Sequence, residues 1–546
     1  MAPSRTEAFT AAVDWIRENG GNVTSISYDS ARSGICASGN LTGDSVVLSI
    51  PLRCCITAAV ARSSVVGKAA AAAAARATRT FLSVADVILA FHVASAARRP
   101  DGCFHAPYFA LLPLRGGTDE EDDPRIMLPR SWTDKELAAL LGGSSSTLAA
   151  AKTARLAIRA DYDQVSACCK EPLPAGWPNF DEFDWACAIV SSRCFELEAP
   201  DGSTVEALIP LADMLNHTRQ RQTSYSLLAS TADASSLLFE MRTRGPLSAN
   251  APIHDTYGAK GSAQLLQTFG FAMIANFEPD GSSNDVCPLE LPKREDLSPS
   301  LVYSPPEAAP LRIGPKSYSF APLTNALDAF RAAAVAAKPS QPAGKASAKL
   351  AAKLELEMQS LKALRAAIAN ARDAYGLSNK VALAALKGRP PPPPERQGTT
   401  DVTRRRWARR AAAAAALVLC EQQTLAFFGR AVAHCLAVLA VNEDDVTAAT
   451  TKRYERASRL RAEVASAKTS ESPKPCQTAD DVDSELAMLH WHSADARAAP
   501  LALAYLQIRV PEVLVDPEAA RRKKANAVAG TKSSKKLKRK HEEQVS

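Results

Sequence analysis

The stretch EALIPLADMLNH, Glu206 to His217, sets an acid, an amide and an imidazole along and just after an apolar run. A carboxylate inside such a run is costly to bury, so Asp213 is expected to orient the segment rather than act as a base. Asn216 carries both a donor and an acceptor, and the main chain at His217 adds another pair, a set suited to gripping a polar ligand. Read alone, the Asn-His pair also suits the cap of a turn after a buried strand. Further on, Tyr257 in IHDTYG offers a phenol; read alone it also suits the end of a core strand. His254, three residues before it, would point to the opposite face of an extended strand and reads as a surface or interface histidine. Metal chemistry finds no foothold: the twelve cysteines include no C-x-x-C pair, and no Cys/His cluster has zinc spacing. Cys187 and Cys194 read as small buried apolar groups, and reduced thiols in a soluble intracellular protein are the simplest account of the set.

The elements that must position these groups follow from the pattern on either side. Residues 24 to 57 read as strands: VTSISY, GICASG and SVVLSIP alternate β-branched residues between Gly, Asn and Asp turns. Before them, Phe9, Ala12, Val13 and Ile16 form one apolar face of a short helix stopped by Gly20-Gly21. From about 60 to 170 the pattern is helical, including SWTDKELAALLGG with Thr133 as N-cap and Glu136 three residues on. Strand-like pieces return around 186 to 272. Beyond about 300 the chain is mostly Ala/Leu/Lys/Glu helix, interrupted by KPSQPAGKASAK and a Pro-rich linker at 388–400. The expected class is α+β, and 546 residues suggest two or three domains. Ala411 to Val441 is the longest apolar candidate, but Glu421, Arg430 and His434 interrupt it. It reads as buried helix, and no membrane partner is expected.

The formal net charge of +7 is a property of one end. Ten Lys or Arg residues and no acid lie between Arg521 and Lys540; without them 55 basic residues face 58 acidic ones, about −3. Nucleic-acid contact is therefore expected at most through this tail. Its two basic clusters, separated by Ala525–Ser534, suit a bipartite nuclear-import signal read by an import receptor through 521–540. Residues 515–546 are expected to be a disordered arm. The first helix has neither an apolar h-region nor a Ser/Arg-rich leader ahead of it, so the expected location is nucleus, cytoplasm or both.

A strand region split by a helical insertion, with PLADMLNH in its second half, resembles the SET-domain protein methyltransferases. The more similar branch is the one typified by the Rubisco large-subunit lysine methyltransferase, which includes the actin-histidine methyltransferase. The resemblance covers roughly residues 8 to 275 and rests on pieces in the family's order. These are SGICASGNLTGDSVVLSIP, HAPYFALLP, SWTDKELAALLGG, VSSRCF, LIPLADMLNH and YGAKGSAQLLQTFGF. It implies a β-rich SET domain over 1–280 with a helical insertion at about 60–185. An all-α substrate-binding domain over 300–510 would follow.

What the resemblance implies for function is methyl transfer from S-adenosylmethionine to a side-chain nitrogen of a folded protein, lysine before histidine. Asn216 and His217 would contact the cofactor. Tyr257 would sit at the end of the channel where cofactor and acceptor meet, as catalytic and cofactor-binding residue. Arg193 in SSRCFEL matches an arginine near the cofactor and substrate entrance. Asp213, Tyr225 and Phe269 fall at positions near the target side chain, although plain core packing suits Tyr225 and Phe269 as well. In the N-terminal cofactor loop the family's Glu-Gly-x-Gly reads ARSG, leaving Arg32, Ser33 and Gly34 as the candidate contacts. That altered loop, and the polar IHDT before Tyr257, support a different reading: a binding scaffold on a SET-like fold.

Overall fold

The computed structural model describes residues 4–30, 33–78, 81–98, 103–113, 123–142, 146–169, 176–229, 237–279, 284–285, 287–289, 311–313, 346–394, 401–441, 446–466, 486, 495–519 and 522. Arg32 and, apart from Arg522, the basic stretch 521–540 lie outside the described residues. The chain divides into two units. The first takes in 1–285, 375–420 and 475–485; the second takes in 286–374, 421–474 and 486–546.

The first unit opens on helix α1 (Arg5–Glu18), whose start is closed by a reciprocal capping box between Ser4 and Glu7. The four residues expected on its apolar face are all buried, together with Ala8 and Trp15. Three strands follow: β1 (Ile26–Asp29), β2 (Gly34–Ala37) and β3 (Val46–Pro51), the last two inside segments whose alternation predicted them and β1 running one residue past its own. After the short β4 (Ile56–Thr57) the chain becomes helical: α2 (Ala58–Ser63), α3 (Val65–Ala74), α4 (Val84–Ala97), α5 (Ala106–Phe109), α6 (Asp134–Leu141), α7 (Ser146–Cys168) and α8 (Phe180–Arg193). Thr133 and Glu136 form the expected capping box on α6. The helical run ends at Arg193 rather than near 185, because Asn179 caps α8 and Phe183, Trp185, Ala186 and Ile189 give it a buried face.

Strands then return: β5 (Cys194–Glu198), β6 (Thr204–Leu208), β7 (Asn216–His217), β8 (Thr223–Ala229), β9 (Leu237–Thr243) and β10 (His254–Asp255). Two small antiparallel sheets have the orders β4-β6-β5 and β3-β9-β8; a third pairs β1 with β2. The pair β7/β10 is different, being parallel, with His254 opposite Asn216 and Asp255 opposite His217. Helix α9 (Ser262–Phe269) closes this run and ends on Gly270 in the left-handed region. The apolar core joins α1, α4 and α8 to the sheets through buried residues such as Ile16, Leu48, Phe91, Phe183 and Phe239.

In the second unit, Cys287–Leu289 pairs antiparallel with Leu311–Ile313, and helices occupy Ala346–Asp373, Val446–Ser466 and Asp495–Arg509. Helix Asp401–Leu439 contributes to both units in sequence. It is long and apolar enough to cross a membrane by length and composition, but 83% of its apolar window is buried inside the fold. None of the eleven described cysteines is joined in a disulfide among the described residues.

Gly270 links α9 to the residues that pack on Tyr257. Its φ is +81°, and a Cβ there would lie 2.6 Å from Cβ of Met127. Gly270→Ala is therefore expected to cost about 1–3 kcal/mol. The readout is a lower denaturation midpoint with an unchanged slope; an unchanged midpoint would contradict the strain assigned to this turn.

Candidate active site

Three segments far apart in sequence converge on Tyr257. Segment 250–253 runs beside β2, with the Asn250 amide donating to the Ala37 carbonyl (2.9 Å), Ala37 to Ala251 (2.9 Å) and Ile253 to Ile35 (2.8 Å). The chain then passes into β10 and pairs with β7, where the Thr218 amide donates to the Asp255 carbonyl at 2.9 Å. Asn216 and His217 are thus strand residues, not the cap of a turn. The turn comes earlier, at Ala212–Met214, entered through Leu211 at φ +65°.

This pairing brings the Tyr257 amide onto Nδ1 of His217 at 3.0 Å, and the phenol donates to the Leu215 carbonyl at 2.8 Å. Because Nδ1 accepts, the neutral ring carries its proton on Nε2. Nε2 is buried and has no hydrogen-bond partner among the described residues. The Tyr257 ring centroid lies 4.6 Å from that of Phe269 and 5.0 Å from that of His217; Phe271 lies 5.9 Å from His217. Burial pushes the Tyr257 phenol up to about 12 and, with the nearby Arg219 charge, pulls the His217 imidazole down to about 3. Both rings are neutral near pH 7.

The segment before β7 is anchored by charge. Nη1 of Arg193, at the end of α8, donates to the Asp213 carbonyl (3.0 Å) and to its Oδ2 (3.2 Å). Tyr108 of α5, fully buried, donates its hydroxyl to the same Oδ2 at 2.9 Å. The Asp213 side chain is 1% exposed; burial pushes its carboxyl up against the pull of Arg193 and Tyr108. Asp213 therefore orients the LADM turn, as its place in an apolar run predicts.

Phe269 packs directly on Tyr257. Tyr225 does not: its ring lies against Phe195 (5.4 Å) and Phe239 (5.7 Å) on β8, 37% exposed. Ser33, at φ +47°, and Gly34 form the turn into β2, next to the strand that pairs with 250–253. His254 is buried within the fold, which corrects the expectation of a surface or interface histidine. Its amide donates to Oε1 of Gln222 (2.9 Å), and parallel pairing with Asn216 holds it inside the fold. Asp255 is buried as well and accepts from the Thr223 hydroxyl at 2.9 Å. The main chain of His254 and the carboxylate of Asp255 in the polar IHDT stretch thus find partners inside the fold.

Sequence reasoning missed Tyr108, Phe271, Arg219 and Asn276. Nothing local separates Arg219 from Arg221 in HTRQRQ, yet Arg219 is buried and Arg221 exposed. The helix after Tyr257 shows a similar hidden dependence. Its N-cap, Gly261, has no side chain, and the Asp285 carboxylate accepts the Ser262 amide instead.

Since folding lowers the His217 pKa, unfolding takes up a proton once the pH drops below the ordinary value of 6.5. This contribution erodes stability as pH falls from about 6.5 toward 3, by about 1.4 kcal/mol per pH unit. Asp213 and Asp255, with raised folded values, work the other way, so the readout is a difference. Between pH 6.5 and 5 the wild type is expected to lose about 2 kcal/mol more than His217→Asn, measured by urea denaturation. Parallel pH dependences would refute a buried neutral His217.

No protein-family model matches the sequence. Among curated proteins, the actin-histidine N-methyltransferase of Gallus gallus is 24% identical over 275 residues, covering 49% of this chain and 43% of the relative. That of Homo sapiens gives the same identity and the same coverage. The matched region thus spans less than half the length of these curated relatives. Among solved structures, the SET domain of LSMT bound to lysine and AdoHcy superposes with a TM-score of 0.51 at 18% identity, over 78% of this chain and 90% of that one. Rubisco LSMT bound to sinefungin and monomethyllysine gives 0.51 at 17%, over 79% and 93%. The fold of this chain is the SET fold, in the form carried by the Rubisco large-subunit methyltransferase.

Proposed function

We propose that this chain transfers a methyl group from S-adenosylmethionine to a side-chain nitrogen of a folded protein. The observation that carries the reading is that the Asn216-His217 strand brings the His217 ring against Tyr257, beside Phe269, on a fold of this kind. The described residues fit the cofactor. The Nε2 donor of His217 is buried and unpartnered, as a site built to receive a polar molecule would leave it. Arg193 spends only Nη1 on Asp213. Asn216, the main chain of β7, the Ser33-Gly34 turn and Arg193 would hold the ligand. When bound, it supplies an electrophilic methyl carbon on a sulfonium.

The chain's own contribution is positional and electrostatic. The phenol of Tyr257 donates its proton to Leu215, so its oxygen remains an acceptor for an N–H of the incoming nitrogen. Held neutral, it orients the nitrogen rather than removing its proton. The ring wall of His217, Phe269 and Phe271 excludes water, and desolvation there favours the neutral amine over the ammonium. Lysine is the acceptor we put first. Histidine is the second reading, supported by the names of the curated relatives.

The test is calorimetric binding of S-adenosylmethionine, followed by mass-spectrometric location of methyl groups in protein extracts incubated with the full chain. Micromolar binding that is lost in Asn216→Ala, with new methyl-lysine or methyl-histidine, is the expected result. Tyr257→Phe should keep the binding and lose about 100-fold in turnover. A wild type that binds no cofactor would overturn the enzyme reading and leave a SET-fold binding scaffold.

A further inference from the structure

Two residues after His217, Arg219 does something its neighbours do not. Its side chain is 7% exposed, and three of its contacts are to neutral oxygens. Nη1 donates to the Gly258 carbonyl (2.6 Å), Nη2 to the Lys260 carbonyl (2.7 Å) and Nε to Oδ1 of Asn276 (2.6 Å). The amide of Asn276 donates in turn to the same Lys260 carbonyl at 2.9 Å. Of the carboxylates near the guanidinium, Glu278 lies at 3.4 Å and Asp285 acts from beyond Asn276. Burial pulls the Arg219 pKa down against the pull of both acids, so the arginine is held in place at a cost that the ion pair does not cover.

What this cost secures is the turn after Tyr257. Upstream, Tyr257 is held by β10 against β7 and by its amide on His217. Downstream, the chain bends tightly: Gly258 has φ +89°, and the Lys260 amide closes back on the Gly258 carbonyl at 2.8 Å. The Gly258 and Lys260 carbonyls of that bend also meet the buried guanidinium, which spans both. A planar guanidinium can serve two carbonyls and an amide oxygen at once in fixed directions; an ammonium cannot.

We infer that Arg219 is a positioning residue: by clamping the Gly258 and Lys260 carbonyls it fixes where the Tyr257 phenol stands. As a statement about catalysis this rests on the methyltransferase reading, because a displacement of about 1 Å in such a group costs about 100-fold in rate. As a statement about geometry it does not.

The experiment uses the full chain labelled with 3-fluorotyrosine, with the Tyr257 resonance assigned by its disappearance in Tyr257→Phe. Arg219→Lys keeps the charge and removes the fork; Arg221→Lys, two residues on and exposed, is the control. Arg219→Lys is expected to shift or broaden the Tyr257 resonance and to lower kcat about 10- to 100-fold. The acceptor KM and cofactor Kd should stay within about threefold. If Arg219→Lys melts below the working temperature, Asn276→Ser, which removes one leg of the clamp, should move the resonance and kcat in the same direction. A folded Arg219→Lys with an unmoved resonance overturns the inference, whatever its kcat, and so does an equal effect in Arg221→Lys. A wild type that methylates nothing would sink the methyltransferase reading alone, since the resonance still reports whether Arg219 holds Tyr257.

Discussion

Four backbone residues carry the constraint on which the candidate site depends. Asn216-His217 and His254-Asp255 pair in parallel, and the hydrogen bond from the Tyr257 amide to the His217 ring ties down the chain two residues beyond that pairing. A parallel pair has no hairpin to set its register, so the connecting chain must be fixed from outside. The neighbouring structure supplies that fixing. β2 zips 250–253 into place, Arg193 and Tyr108 hold the turn before β7 through Asp213, and Arg219 holds the turn after Tyr257.

Seen this way, the buried polar groups of the first unit have a common role. Asp213, Asp255 and Asp285 all have carboxyls raised by burial, and each accepts hydrogen bonds that specify one arrangement of a turn or a helix start. Buried charges of this kind add little net stability, since desolvation offsets most of the attraction. They exclude alternatives instead: a carboxylate with no partner in a shifted register would leave an expensive orphan. The aromatic cluster of His217, Tyr257, Phe269 and Phe271 is the apolar complement, and it is shaped by the same turns.

Much of this was legible in the residues. Alternation found β1 to β3, the apolar face found α1, and the Thr133-x-x-Glu136 pattern found the cap of α6, because each depends on neighbours within a turn or two of chain. The order of motifs gave the SET fold. Tyr257, His217 and Phe269, singled out singly, do meet. The burial of His254, expected at a surface or interface, is beyond the reach of face alternation, which in a two-residue strand says nothing about what covers either face. Tyr225 belongs to a different aromatic group, with Phe195 and Phe239.

By itself, then, the sequence determined the local elements and the residue types available for chemistry: an amide, an imidazole and a phenol in segments of known kind. Tertiary structure alone decided that Asn216-His217 is a strand and not a cap, that Asp213 faces Arg193, and that Arg219 rather than Arg221 turns inward. The physical reason is range. Propensity, capping and alternation act over a few residues, whereas strand register and the pairing of buried charges are settled by groups that only folding brings within hydrogen-bond distance.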